Sequence, residues 1–420
     1  MSSRAHHAIT GNVCPQLAPG CVRSMTAKCV NTRKMEKMLR KRMWVLALVG
    51  AMGITGLAAC GSSSSSSSAA SSASATTSSS SGSSGTSTTA AATGSSSTCS
   101  AGAIDVGTGC VVPKKGNKNI AFFGQATNAY TYTVAQTNAA TAEGKKLGYN
   151  VTISFDNLNP ATELANFQQA VSGGKYAGII FQPVNTQLCV PMRTVPIHSH
   201  VLVEIVGSPL CDKGTGNGAQ LWAPGTISYV GGQNNVDGIN SVLATAAKLS
   251  PGPQKAAFIM GLNGNPSVVA WQTAWTPFVA AHPNWSLVDT SYTDFTTPQA
   301  FTATENAITA HPDITAIFSP YIDVTSGIVK AIQAQGKAGK IKVYENGGGS
   351  SIATGLVKAG SLTGDLPVYP ESLGSTGVQT MVEALQGKQP PRFIPGDGNP
   401  TATTTGVVTA ANVASFKPQW

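Results

Sequence analysis

Residues 118–181 read KNIAFFGQATNAYTYTVAQTNAATAEGKKLGYNVTISFDNLNPATELANFQQAVSGGKYAGIIF. Three short apolar runs, Asn119–Gly124, Val151–Phe155 and Ala177–Phe181, are separated by two longer stretches, Tyr132–Leu147 and Ala161–Ser172, with helical patterning. Strands that are apolar without alternation are buried on both faces, which is the situation of a parallel sheet covered by helices. The same alternation continues through Val201–Val206, Ile227–Val230, Val236–Leu249, Ala256–Met260, Pro266–Ala280 and Ser286–Tyr292. It runs on through Pro298–Ala310, Ile314–Phe318, Thr325–Ala334, Ile341–Tyr344 and Ser350–Lys358. So many repeats exceed one small sheet, and the pattern restarts near Lys255. The expected fold is therefore α/β with two doubly wound lobes, and a ligand would lie outside the carboxyl ends of the strands, between the lobes.

Upstream of this region, Gly61–Thr98 is almost entirely Ser, Ala, Thr and Gly. Such a stretch buries too little apolar surface to offset its ordering entropy, so Gly61–Thr98, within a 60–117 segment of lipidated Cys and linker, is expected to be disordered, spanning ~35 Å as a flexible coil. Further upstream, a basic cluster at Lys34–Arg42 precedes the apolar run MWVLALVGAMGITGL at 43–57. A basic region, a short apolar run and a small-residue exit mark residues 1–59 as a secretory leader, too short in its apolar part for a spanning helix of ~20 residues. Leu57-Ala58-Ala59-Cys60 resembles the lipobox of bacterial lipoproteins, in which cleavage precedes a cysteine that carries the lipid. Lipidation of Cys60 is the expectation; an ordinary signal peptide or an uncleaved anchor is the competing reading. Residues 1–34 are long for the leading segment, and translation is expected to start at Met35 or Met38.

The net charge of +9 invites a nucleic-acid partner, but its location argues otherwise. Residues 1–59 hold nine Lys/Arg and one acid, which leaves 18 basic and 17 acidic residues for the rest of the chain. A nearly neutral body gives no electrostatic support for a polyanion. Once the leader is removed and Cys60 is set aside, Cys99, Cys110, Cys189 and Cys211 remain. An even number in an exported chain favours disulfides. Pairs 99–110, flanking a Gly-rich loop, and 189–211, each following a predicted strand, are expected. A metal site is the alternative, with His198-x-His200 as its weak signal and no Cys-x-x-Cys to support it.

Lys145–Asn150 and Asn159–Gln168 resemble periplasmic sugar-binding proteins of the ribose-binding type. The resemblance continues through Ala177–Phe181, Val279–His282, Ala310–Phe318 and Thr409–Val413, and so covers about 118–415. It implies a type I periplasmic binding protein: two Rossmann-like lobes, joined by three crossings, that close on a small ligand. The first lobe would be 118–230 plus 367–389 and the second 231–366 plus 390–420, with crossings near Gly231, Pro367 and Pro390.

Members of that family hold sugar hydroxyls with charged and amide side chains and sandwich the ring between aromatics, because buried polar groups must be paired. Carried onto this chain, the first βα loop offers Asn128, Tyr130 and Tyr132. The family's acid falls near Val206 or Gly207 and is absent, and its arginine falls at Trp271. The remaining positions fall at Tyr321 with Asp323 nearby, at Asn346 preceded by Glu345, and near Val368 beside Tyr369. The resemblance thus implies a flatter, more aromatic pocket with Asn128, Asp323, Glu345 and Asn346 as its polar groups.

No Gly-x-Ser-x-Gly elbow, Walker loop or His-Glu-x-x-His is present, and Gly347–Gly349 lacks the lysine and spacing of a phosphate loop. The chain is expected to be neither an enzyme nor a cofactor carrier. The expected function is the capture subunit of an ABC importer, a monomer anchored by lipid on the outer face of the membrane, with a small sugar-like solute and the permease subunits as partners. A ligand sensor of the same fold is the alternative. A repressor effector domain is excluded by the exporting leader and the lack of a helix-turn-helix segment.

Overall fold

Ile120, Ile179, Ile180, Leu202 and Val203 are fully buried, as strands without polar alternation require. The structure, a computed structural model, describes residues 99–397 and 406–420. The leader, both expected start sites, Cys60 and the linker through residue 98 lie outside the described residues. Among the described residues no helix is long and apolar enough to cross a membrane.

A two-stranded antiparallel hairpin comes first, β1 (Ile104–Asp105) with β2 (Cys110–Val111). It is closed by a disulfide between Cys99 and Cys110 with Cα atoms 5.7 Å apart. The first lobe follows as β3 (Asn119–Gly124), α1 (Thr131–Leu147), β4 (Asn150–Phe155), α2 (Pro160–Ser172) and β5 (Gly178–Phe181). It continues with the short helices α3 (Cys189–Met192) and α4 (Val195–Ser199), then β6 (Leu202–Gly207) and β7 (Tyr229–Gly231). A second disulfide, Cys189–Cys211, ties α3 to the loop after β6, with Cα atoms 5.2 Å apart.

The chain then passes to the second lobe: α5 (Val236–Leu249), β8 (Gln254–Met260), α6 (Pro266–Ala281), β9 (Trp285–Tyr292) and α7 (Thr297–Ala310). After these come β10 (Ala316–Ser319), α8 (Ile322–Ala334), β11 (Lys342–Gly348), α9 (Ser351–Lys358) and β12 (Gly364–Pro367). It returns to the first lobe with α10 (Pro370–Leu385) and β13 (Phe393–Pro395). The first sheet runs in the order β13-β7-β6-β5-β3-β4 and the second β12-β11-β10-β8-β9, with every neighbouring pair parallel.

Local chemistry sets the helix starts. Asn159 caps α2 by accepting from the Ala161 and Thr162 amides, with Pro160 at the first helical position. Asn265, ahead of Pro266, caps α6 in the same way through Ser267. α10 lies flat against α1 because Gly374 has no side chain; a Cβ there would stand 2.1 Å from the Gln136 carbonyl oxygen.

Two crossings fall after Gly231 and after Pro367, where the chain leaves β7 and β12. The third differs from the expectation near Pro390. Phe393–Pro395 pairs in register with Tyr229–Gly231, and the Gly396 amide donates to the Gly231 carbonyl at 2.7 Å. The chain therefore stays on the first sheet through residue 396. The physical reason is the open edge of β7, which β13 covers, with Phe393 stacked on Tyr229 at 6.2 Å. The chain reaches the second lobe by Val408, whose amide and carbonyl pair with Asp365.

Candidate functional site

The carboxyl ends of both sheets face one cleft. From the first lobe, Gln125 follows β3, Gln182 follows β5 and Ser208 follows β6, while Tyr130, Tyr132 and Thr133 stand at the start of α1. From the second lobe, Asn265 and Ser267 come from the β8–α6 turn, Phe295 follows β9, Tyr321 follows β10 and Gly347 ends β11. Asn234 and Val368 come from the first two crossings. The cavity volume is about 60 Å³, room for a few waters at ~10–15 Å³ each.

The first-lobe wall is a hydrogen-bonded chain of side chains. The Tyr132 hydroxyl donates to Gln182 Oε1 at 2.9 Å, and Gln136 Nε2 donates to the same oxygen at 3.1 Å. Gln182 Nε2 in turn reaches Gln125 Oε1 and Ser208 Oγ, each at 3.4 Å. Burial pushes the Tyr132 hydroxyl above its ordinary value, so it remains a neutral donor.

The second-lobe wall is made of rings and capped backbone. Tyr321 lies edge-on to both Tyr132 and Phe295, with ring centres 6.3 Å apart in each pair. Burial, with Asp323 beside it, holds the Tyr321 hydroxyl protonated. Gly347 adopts φ +105°, and a Cβ there would meet the Pro320 carbonyl oxygen at 2.5 Å; glycine is what lets this strand end line the cleft. Among the described residues no Asp, Glu, Lys, Arg or His lines the cleft.

The lobes touch across it. The Tyr130 hydroxyl donates to the Asp294 carbonyl at 3.2 Å, and Asn265 Nδ2 to the Val184 carbonyl at 3.4 Å. This is a closed arrangement of a hinged pair.

Of the residues named from sequence, Tyr130, Tyr132 and Tyr321 line the cleft. Trp271 and Asn346 do not: both are fully buried one layer behind it. Trp271 Nε1 donates to Asn346 Oδ1 at 2.6 Å, and Asn346 Nδ2 donates to Asn234 Oδ1 at 3.0 Å. The pair thereby orients Asn234, which is the cleft residue. Asn128 is exposed in the turn before α1 and does not line the cleft. Asp323 lies beneath Tyr321, half-buried, and Glu345 is fully buried. Tyr369 faces a separate hollow at the back of the hinge with Val408 and Phe416, while its neighbour Val368 faces the cleft.

Sequence reasoning missed Gln125, Gln182, Ser208, Asn234, Asn265 and Ser267. Most of them carry a signal: Gln125, Gln182 and Ser208 are the first polar residues after predicted apolar strands, where a doubly wound sheet presents its ligand-facing ends. Asn265 is an Asn-Pro pair at a helix start.

The periplasmic binding protein domain, as a family profile, matches residues 120–389. The ribose import binding protein of Salmonella typhimurium is 25% identical over 259 residues, 61% of this chain and 82% of that protein. The D-allose-binding periplasmic protein of Escherichia coli K12 is 26% identical over 248 residues, 58% of this chain and 76% of that protein. Among solved structures, an ABC transporter solute binding protein from Bacillus halodurans with bound myo-inositol superposes with a TM-score of 0.62 at 18% identity. It covers 73% of this chain and 99% of that one.

Proposed function

The chain belongs to the periplasmic binding protein family, and on that premise we propose that it captures an uncharged, sugar-like solute for an ABC importer. It is a binding protein and not an enzyme. The observation that carries the ligand class is the cleft itself, where amides, hydroxyls and rings from both lobes converge without one charged side chain among the described residues. Amides and hydroxyls pair the donors and acceptors at the edge of a polyol, and Tyr130, Tyr132, Tyr321 and Phe295 offer apolar surface to its face. An ionic solute would be desolvated there without a counter-charge. The relatives named for ribose and allose support the same class. Export by the leader and a lipid on Cys60 would hold the chain at the outer face of the membrane, beside the permease.

The test is a thermal-shift screen of the purified chain against D-ribose, D-allose, L-arabinose and myo-inositol, with D-glucuronate as an anionic control. A ligand that binds only the folded state adds ~2.7 kcal/mol at a hundredfold excess over Kd. A shift with a neutral polyol and none with glucuronate is expected. A shift confined to glucuronate would overturn the neutral-ligand reading.

A further inference from the structure

Residues 406–420 do more than complete the third crossing. Val408 pairs with Asp365 in the second lobe, and the chain then runs along the back of the hinge to Gln419 and Trp420. Gln419 is anchored to the first lobe: its Nε2 donates to Ser372 Oγ at 2.6 Å, and its Oε1 accepts from the Ser372 amide at 3.3 Å at the start of α10. Trp420 is anchored to the second lobe, its main-chain oxygen accepting from the Ser351 amide at 2.6 Å at the start of α9. Two adjacent residues thus grip different lobes.

The Trp420 ring sits between them. It stacks on Tyr321 of the second lobe, with centroids 6.4 Å apart and planes 11° from parallel. It meets Tyr132 of the first lobe edge-on at 5.7 Å and 83°. Its indole N–H donates to the Val368 carbonyl, on the second crossing, at 3.3 Å. Tyr132, Tyr321 and Val368 all line the cleft, whereas Trp420 does not. Tyr132 and Tyr321 also contact each other, so the three rings close a triangle that exists only while the lobes are together.

We infer that Trp420 is a positioning residue for ligand capture: it latches the closed state by bridging Tyr132 and Tyr321 over the second crossing. Opening the hinge pulls Tyr132 and Tyr321 apart, and the indole then loses at least one of its two ring partners. The latch therefore favours closure without touching the solute. It rests on the reading of the cleft as the ligand site only in its consequence, since the closed state can be measured with no ligand at all.

The test is hydrogen–deuterium exchange of the full chain without ligand, comparing wild type with Trp420→Ala, Trp420→Phe and Gln419→Ala. In Trp420→Ala, amide exchange should quicken about tenfold, equivalent to ~1.4 kcal/mol, at 125–133 and 262–267. These segments face the cleft from opposite lobes. The sheet cores at β3, β5, β8 and β10 should keep their protection. Trp420→Phe keeps a ring over Tyr321 and should fall between. Gln419→Ala loosens the same segment with Trp420 intact and should move the same cleft segments in the same direction, which keeps the inference open to refutation if Trp420→Ala folds poorly. Faster exchange restricted to 350–352, 368–372 and 415–419 in the folded variants, with the cleft segments unchanged, would make Trp420 a local packing residue and overturn the latch. That result would leave the sugar screen untouched.

Discussion

In the first lobe the cleft wall is a chain of side chains that hold one another: Tyr132, Gln136, Gln182, Gln125 and Ser208 are joined by hydrogen bonds. In the second lobe the wall is Tyr321 and Phe295 above an aromatic core in which Phe258, Trp271, Trp275 and Phe318 pack ring against ring. One wall is preorganised by polar pairing and the other by packing. A polar network loses function when one member is cut, because its partners are left unpaired; a packed core loses stability when its volume is cut. Damage to the two walls should therefore be read out by different measurements.

The largest effect belongs to the packed side. Trp271→Ala empties a fully buried site and strips Asn346 Oδ1 of its donor. It should cost ~3–5 kcal/mol of stability, measured by chemical denaturation of the purified chain. Any loss of affinity would follow indirectly, through Asn234. A Trp271→Ala chain with an unchanged unfolding midpoint and lost sugar binding would return Trp271 to the cleft, where its sequence position first placed it.

Next comes pH. Asp156 and Glu163 sit behind the first-lobe wall, where Glu163 Oε1 accepts the Val184 amide at 2.8 Å and Asp156 Oδ1 accepts Asn166 Nδ2 at 2.7 Å. Burial pushes Glu163 from its ordinary 4.5 up to about 8 and Asp156 from 3.8 up to about 7. In the second lobe, Glu345 Oε1 and Asp365 Oδ1 both crowd Gly348, approaching within 2.5 and 2.0 Å of where a Cβ would stand. Burial raises both, Asp365 to about 7 and Glu345 well above its ordinary value, with the facing Asp365 as a lesser cause. For all four acids the folded state holds protons that the unfolded chain has released. Stability should therefore fall as pH rises from about 4.5 to 8. Glu163→Gln keeps an acceptor for Val184 and should flatten the first-lobe share, raising the melting temperature at pH 8 relative to wild type but not at pH 5. A melting temperature that climbs with pH over this range would contradict these buried acids being protonated.

The same contrast explains what the sequence let one read. Two lobes of parallel sheet were legible because strands such as Ile120–Phe123 and Ile179–Phe181 are apolar without a break. Strand Phe393–Pro395 was not, because three residues ending in proline carry no period. In the cleft, Tyr130, Tyr132 and Tyr321 came from the resemblance, which placed them in the βα loops. Trp271 was misplaced although its spacing held the answer: Val268, Trp271, Trp275 and Phe278 recur at helical intervals and are all buried, which is a core stripe on α6. The amides of the polar wall were overlooked although their place just after apolar strands marks them; only their pairing, such as Gln182 with Gln125 57 residues away, leaves no local pattern.

Cutting the polar wall should show the opposite split from Trp271→Ala. Gln182→Leu leaves the Tyr132 hydroxyl and Gln136 Nε2 without their shared acceptor. An unpaired buried donor costs ~1–3 kcal/mol, so affinity for whichever neutral sugar gives the largest thermal shift should fall roughly 10- to 100-fold by calorimetry. Retained affinity would mean that the solute is held by the aromatic side alone.

The smallest effect tests whether the walls act together. Tyr130 belongs to the first lobe but donates its hydroxyl to the Asp294 carbonyl of the second. Tyr130→Phe keeps the ring and removes only that bond, a change of ~0.5–1.5 kcal/mol for a typical hydrogen bond. Because the bond exists only in the closed form, its loss should appear as a faster release of bound sugar by stopped flow, with association and melting temperature nearly unchanged. Slower association with unchanged release would instead assign the Tyr130 hydroxyl to the entry of the solute, and the two walls would then be joined by Asn265 to Val184 and by the rings alone.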